Sequence, residues 1–90
     1  MTFDDFRRRY REKCAGELEP LRAALADGDE QRLRDIGHRF AGNGGTFGYP
    51  VLSDLGAALE QAVEERADQA AIAAAARALM SELEATARHS

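Results

Sequence analysis

The sequence predicts an all-α fold, an antiparallel four-helix bundle of up-down-up-down order, and three observations predict it. Alanine, leucine, glutamate and arginine dominate the 90 residues, and β-branched residues are few. No segment alternates apolar and polar residues with a period of two, the mark of a half-buried strand. Four stretches instead carry apolar residues at three- and four-residue spacing, joined by short links.

In the first stretch Phe3, Phe6, Tyr10, Cys14, Leu18, Leu21 and Leu25 form one stripe behind a Thr2 cap. Pro20 removes the hydrogen bond to the Gly16 carbonyl, so this helix is expected to be kinked or split there. Gly28 suits a left-handed C-terminal position and Asp29 an N-terminal cap, which makes a tight turn into the second helix. That helix turns Leu33, Ile36, Gly37, Phe40, Gly44 and Phe47 inward until Gly48-Tyr49-Pro50 breaks it, and Pro50 opens the third. Val51, Leu52, Leu55, Ala58, Leu59, Ala62 and Val63 form the third stripe, which ends in Glu64, Glu65 and Arg66. Asp68 is placed to cap the fourth helix, whose stripe is Ile72, Ala75, Ala76, Leu79, Met80 and Leu83. Residues 1–90 are expected to form one domain.

A net charge of -4 and a pI near 5.1 argue against a nucleic-acid partner, because phosphate backbones call for a concentrated basic face. The run Arg7, Arg8, Arg9 and Arg11 is flanked by Asp4, Asp5 and Glu12 and reads as a solvated helix face with i,i+4 pairs. The single cysteine, Cys14, offers neither a disulfide nor a zinc site, which fits a reducing cytoplasm. No apolar run approaches the ~20 residues that span a bilayer, and no membrane role is expected. No phosphate-cradling loop of the Walker type and no triad is present, so no metal or other cofactor is expected in this chain.

The second helix breaks the pattern of a plain bundle. Gly37, Gly42, Gly44 and Gly45 fall within nine positions, and four glycines in a helix interior cost ~4 kcal/mol against alanine. Something should offset that. At 100° per residue His38 lies away from the stripe of Ile36, Phe40 and Phe47, so its ring is expected in solvent. The positions on its face at i+3, i+4 and i+7 are Ala41, Gly42 and Gly45, all small, which leaves the imidazole over bare backbone, open to a bulky partner. Gly37 and Gly44 lie near the stripe and are read as close-packing residues. Imidazoles ordinarily titrate near neutrality, so histidine is available at pH 7 as a neutral nucleophile able to take a phosphoryl group without a separate base. His89, near the C-terminus, is assigned no role.

These residues resemble the histidine-containing phosphotransfer (HPt) family of multistep two-component signalling. The family pattern runs His, any residue, a hydrophobic residue, Lys, Gly, Ser or similar, then a hydrophobic-Gly pair and a Leu-rich helix ending in Leu-Glu. His38, Phe40, Gly42, Asn43, Phe47, Gly48, Leu52, Leu55, Leu59 and Glu60 fall at matching places. The resemblance implies a four-helix bundle whose His38 passes phosphoryl groups to and from aspartates of receiver domains, as a phospho-carrier and not an enzyme. The implied partners are the receiver domain of a response regulator or a hybrid sensor histidine kinase, met by a monomer. Where the family has a lysine three residues after the histidine, this chain has Ala41. Arg34, one turn before His38 and by spacing the better placed, or Arg39 beside it are the candidates to supply that positive charge, and Asn43, at the place the family often fills with serine, is a candidate to donate a hydrogen bond to a phosphoryl oxygen. Two rival readings are a docking module that binds receivers or kinases without carrying phosphate, and a helical adaptor that dimerises through an apolar surface.

Overall fold

The computed structural model describes residues 2–88, and His89 lies outside them. Four helices follow one another: α1 (Phe3–Asp27), α2 (Glu30–Asn43), α3 (Pro50–Glu64) and α4 (Gln69–Arg88). Each packs against its neighbour in sequence, and α1 against α4 closes the four-helix bundle.

Local signals place the ends. Thr2 and Asp5 form a capping box in which Thr2 Oγ1 accepts from the Asp5 amide at 3.2 Å and the Asp5 carboxylate accepts from the Thr2 amide at 3.0 Å. Those bonds hold the Asp5 carboxyl below its ordinary pKa. Gly28, at φ 67°, ends α1 with its amide directed to the Ala24 and Leu25 carbonyls, and Asp29 Oδ1 accepts from the Arg32 amide at 3.1 Å to start α2. Pro50 is the first residue of α3, and Asp68 Oδ1 accepts from the Ala71 amide at 2.8 Å ahead of α4.

The helix α1 runs through Pro20 without splitting. The carbonyl that loses its partner belongs to Gly16, an exposed residue for which water is the alternative, while Cys14, Leu21 and Ala24 on either side are held in the core. Leu21, Leu33, Ile36, Leu52, Leu59, Leu79 and Leu83 are fully buried, at about 1.5–3 kcal/mol each.

Three large residues of the expected stripes fall outside this core. Phe3 and Phe6 are 62% and 48% exposed and Val51 is 50% exposed. The helix α1 has 25 residues, ~37 Å at 1.5 Å per residue, against 14 residues in α2, so its first turns overhang the neighbour that would cover them. Ala58 also faces solvent.

The basic run is not uniformly solvated either. Arg8 pairs with Asp5 at 3.6 Å, an i,i+3 contact, but the Arg7 guanidinium lies 5.3 Å from the centre of the Tyr49 ring and 6.0 Å from that of Phe3. Arg7 Nε is buried there without a hydrogen-bond partner among the described residues. Beneath it Tyr10 stacks on Phe47 at 4.6 Å and on Tyr49 at 5.5 Å, and meets Phe40 edge-on at 6.4 Å. This aromatic group fastens the segment after α2 to α1.

Candidate functional site

The site begins with the contact between α2 and α3. A Cβ on Gly37 would sit 2.7 Å from the Gly56 carbonyl oxygen, and one on Gly56 would sit 2.6 Å from the Gly37 oxygen and 2.8 Å from the Ala41 amide nitrogen. Two turns after Gly37 a Cβ on Gly44 would meet the Ser53 nitrogen at 2.6 Å. The two helices therefore touch backbone to backbone, and Ser53 Oγ donates across the seam to the Ala41 carbonyl at 2.8 Å.

That closeness brings Glu60, one turn after Gly56, alongside His38. The His38 side chain is 66% exposed, yet its Nδ1 lies 2.6 Å from Oε2 of Glu60, which is 18% exposed. A carboxylate only accepts, so Nδ1 carries the hydrogen and donates it. The lone pair of the neutral ring is then on Nε2, which faces away from α3. Arg34 stands behind the carboxylate, 3.7 Å from Glu60, 3.3 Å from Glu64 and 3.3 Å from Asp35. The hydrogen bond with Glu64, with the nearby carboxylates, pushes the Arg34 guanidinium pKa up, so it is a fixed positive charge.

An exposed imidazole with one nitrogen held by an acid and the other free, on the second helix of a four-helix bundle, is an arrangement suited to group transfer. The sequence matches the family model described as Hpt domain over residues 5–88. The chain belongs to the Hpt domain family. No curated protein and no solved structure matches it. Hpt domains are phosphocarrier modules of two-component phosphorelays, not enzymes in the usual sense, and they interact with receiver domains. Among the described residues no helix is long and apolar enough to cross a membrane, and no group of three or more His, Cys, Asp or Glu is placed to hold a metal ion.

In this Hpt domain the residues singled out from sequence divide between two flanks of His38. On the α3 side Arg34 shares Glu60 with the histidine. On the α1 side Arg39 pairs with Glu17 at 2.9 Å, and Asn43 Oδ1 accepts from the Tyr10 hydroxyl at 2.7 Å. Ala41 is half-buried beneath the Ser53 bond. The helix α2 ends at Asn43, and Gly44 caps it, so Gly45 lies in the following turn and not on the helical face of His38. Three glycines in four residues disfavour another helical turn, and the tight Gly44–Ser53 approach fixes where the chain leaves. A Cβ on Gly42 or Gly45 would meet nothing within 4 Å, so packing does not demand glycine at either.

The sequence places Glu60 in the Leu-Glu ending of the family pattern and gives it no role at the histidine. Its position in the Leu59-Glu60 pair was visible, but the contact with His38 depends on the α2–α3 approach that Gly37 and Gly56 permit.

Proposed function

We propose that His38 is the phosphoacceptor of this Hpt domain and relays phosphoryl groups to and from receiver-domain aspartates. The observation that carries the reading is the 2.6 Å bond from His38 Nδ1 to Glu60, which in the neutral ring places the hydrogen on Nδ1 and the lone pair on Nε2 of a largely exposed side chain. In transfer from a receiver the Nε2 lone pair attacks phosphorus of the aspartyl phosphate. The P–O bond breaks, and its electron pair stays on the aspartate as a carboxylate. Nε2 carries no proton to lose, and the ring, now bearing the phosphoryl group and the Nδ1 hydrogen, takes a positive charge that Glu60 meets directly. The reverse sequence returns the group. Metal and nucleotide chemistry belong to the partner in this scheme.

Bare backbone at Gly42 supports the close approach of a partner to the ring, and Gly45, in the adjoining turn, leaves the C-terminal side of α2 equally low. We place residues 1–90 together as one relay unit, working as a monomer in the cytoplasm with a response regulator receiver or a hybrid sensor kinase. The uncharged Ala41 favours one second reading, a docking module that binds receivers without carrying phosphate. Incubation with a phosphorylated receiver domain separates the two. The relay reading expects an acid-labile gain of one phosphoryl group on the wild type and none on His38→Gln. Binding of the receiver with no gain in mass supports the docking module.

A further inference from the structure

A phosphoryl group on His38 enters an acidic neighbourhood. Glu60 touches the ring, Glu64 and Asp35 lie on either side of Arg34, and that arginine is already shared among all three carboxylates. Ala41 contributes no charge. A dianion placed here requires a cation that is not already engaged by several acids.

Arg39 meets that requirement. Among the described residues it has one ionic partner, Glu17 of α1, in a pair whose side chains are 57% and 27% exposed, and exposed pairs of this kind are weak. His38 and Arg39 line the same open cleft between α1 and α2, about 460 Å³ in volume, together with Glu17, Arg32 and Asp35. Nδ1 is taken by Glu60 on the α3 side, and Nε2 faces the other way. On the helical surface Gly42, three residues after Arg39 and four after His38, lies between them one turn on, with open space where a side chain would stand. Gly42 therefore places no side chain beside the route from Glu17 to His38.

We infer that Arg39 is a phosphoryl-positioning residue held in reserve by Glu17, and that it leaves Glu17 to pair with the phosphoryl group once Nε2 carries it. The inference rests on the reading of His38 as phosphoacceptor. The bidentate fork of arginine suits two phosphoryl oxygens, and the double negative charge outcompetes the single carboxylate of Glu17. Glu17 thus works as a latch that keeps the cation beside an unphosphorylated histidine without covering it.

The test uses phosphoramidate as donor on the whole protein. Nε2 attacks its phosphorus, the P–N bond breaks, and the nitrogen leaves as ammonia. Intact mass follows the rate of labelling, and dilution out of donor follows the lifetime of the product. Arg39→Ala is expected to slow labelling about fivefold, Arg39→Lys, a point charge without the fork, to restore only part of that loss, and Glu17→Gln to speed it about threefold. Glu19→Gln and Arg9→Ala, which change the same net charge elsewhere, are expected to match the wild type, and melting temperatures to agree throughout. Equal rates for wild type, Arg39→Ala and Glu17→Gln overturn the latch while leaving His38 as acceptor. A wild type that takes no phosphoryl group, or takes one that His38→Gln also takes, overturns the reading of His38 and the latch with it.

Discussion

The Nδ1 atom of His38 on α2 and the Oε2 atom of Glu60 on α3 lie 2.6 Å apart, and in the neutral ring this bond places the hydrogen on Nδ1 and the lone pair on Nε2. It depends on two helices meeting through Gly37 and Gly56, so the chemistry of the site and the packing of the bundle are linked through one seam.

Glu60→Gln tests the first half of that link. Glutamine keeps the shape and an acceptor oxygen but not the charge that meets the phosphorylated ring. Transfer from a phosphorylated receiver is expected to slow roughly 10- to 100-fold with little change in stability. Stopped-flow or quenched-flow transfer rates at matched receiver binding check this, and an unchanged rate removes Glu60 from the mechanism.

Gly56→Ala and Gly42→Ala test the second half, and they should move stability in opposite directions. An added Cβ at 56 lands 2.6 Å from the Gly37 oxygen, and forcing the seam apart is expected to cost roughly 2–3 kcal/mol. An added Cβ at 42 meets nothing in a helical position, and alanine there should stabilise by up to about 1 kcal/mol while slowing receiver transfer. Urea midpoints measure the first contrast and transfer rates the second.

Burial pushes the Cys14 thiol from 9.0 up to about 11, with Glu17 adding to the effect. The unfolded chain gives up that proton first, so it binds fewer protons than the native state in alkali and stability falls as pH rises. The contribution is whole below pH 9.0 and lost towards 11, a change of about 3 kcal/mol. Burial raises the Tyr10 hydroxyl as well and extends the loss to higher pH. Urea midpoints should decline across this window, and the decline should be shallower in Cys14→Ala.

Tyr10→Phe keeps the aromatic stack with Phe47 and Tyr49 but deletes the 2.7 Å bond to Asn43. A loss of about 1 kcal/mol is expected in chemical unfolding. Phosphoryl transfer should stay near the wild-type rate, because Asn43 is engaged with α1 and stands apart from the His38–Glu60 bond. A large loss of transfer would assign the Tyr10–Asn43 pair to the site.

The caps at Thr2, Asp29 and Asp68 and the helix start at Pro50 were legible in the sequence because each depends on a few adjacent residues. The exposed position of His38 followed from helical phase alone. The exposure of Phe3 and Phe6 was hidden, since periodicity does not say how far a neighbouring helix extends. Helical phase puts Gly45 on the face of His38 because the stripe continues in phase to Phe47, whereas the chain leaves the helix after Asn43. The cost expected from four helical glycines thereby shrinks to Gly37 and Gly42, with Gly37 offset by the seam. Glu60 and the pairing of Arg39 with Glu17 required the third dimension, because each joins residues 22 positions apart.

The central claim is that His38 carries the phosphoryl group on Nε2, and the most direct measurement is the site of attachment after incubation with a phosphorylated receiver domain. Phosphorus-to-proton correlation by NMR distinguishes the two ring nitrogens, with His38→Gln as the control. The account predicts one phosphoryl group on Nε2 of His38 and none on the variant. Attachment at Nδ1, or labelling that persists in His38→Gln, would contradict it.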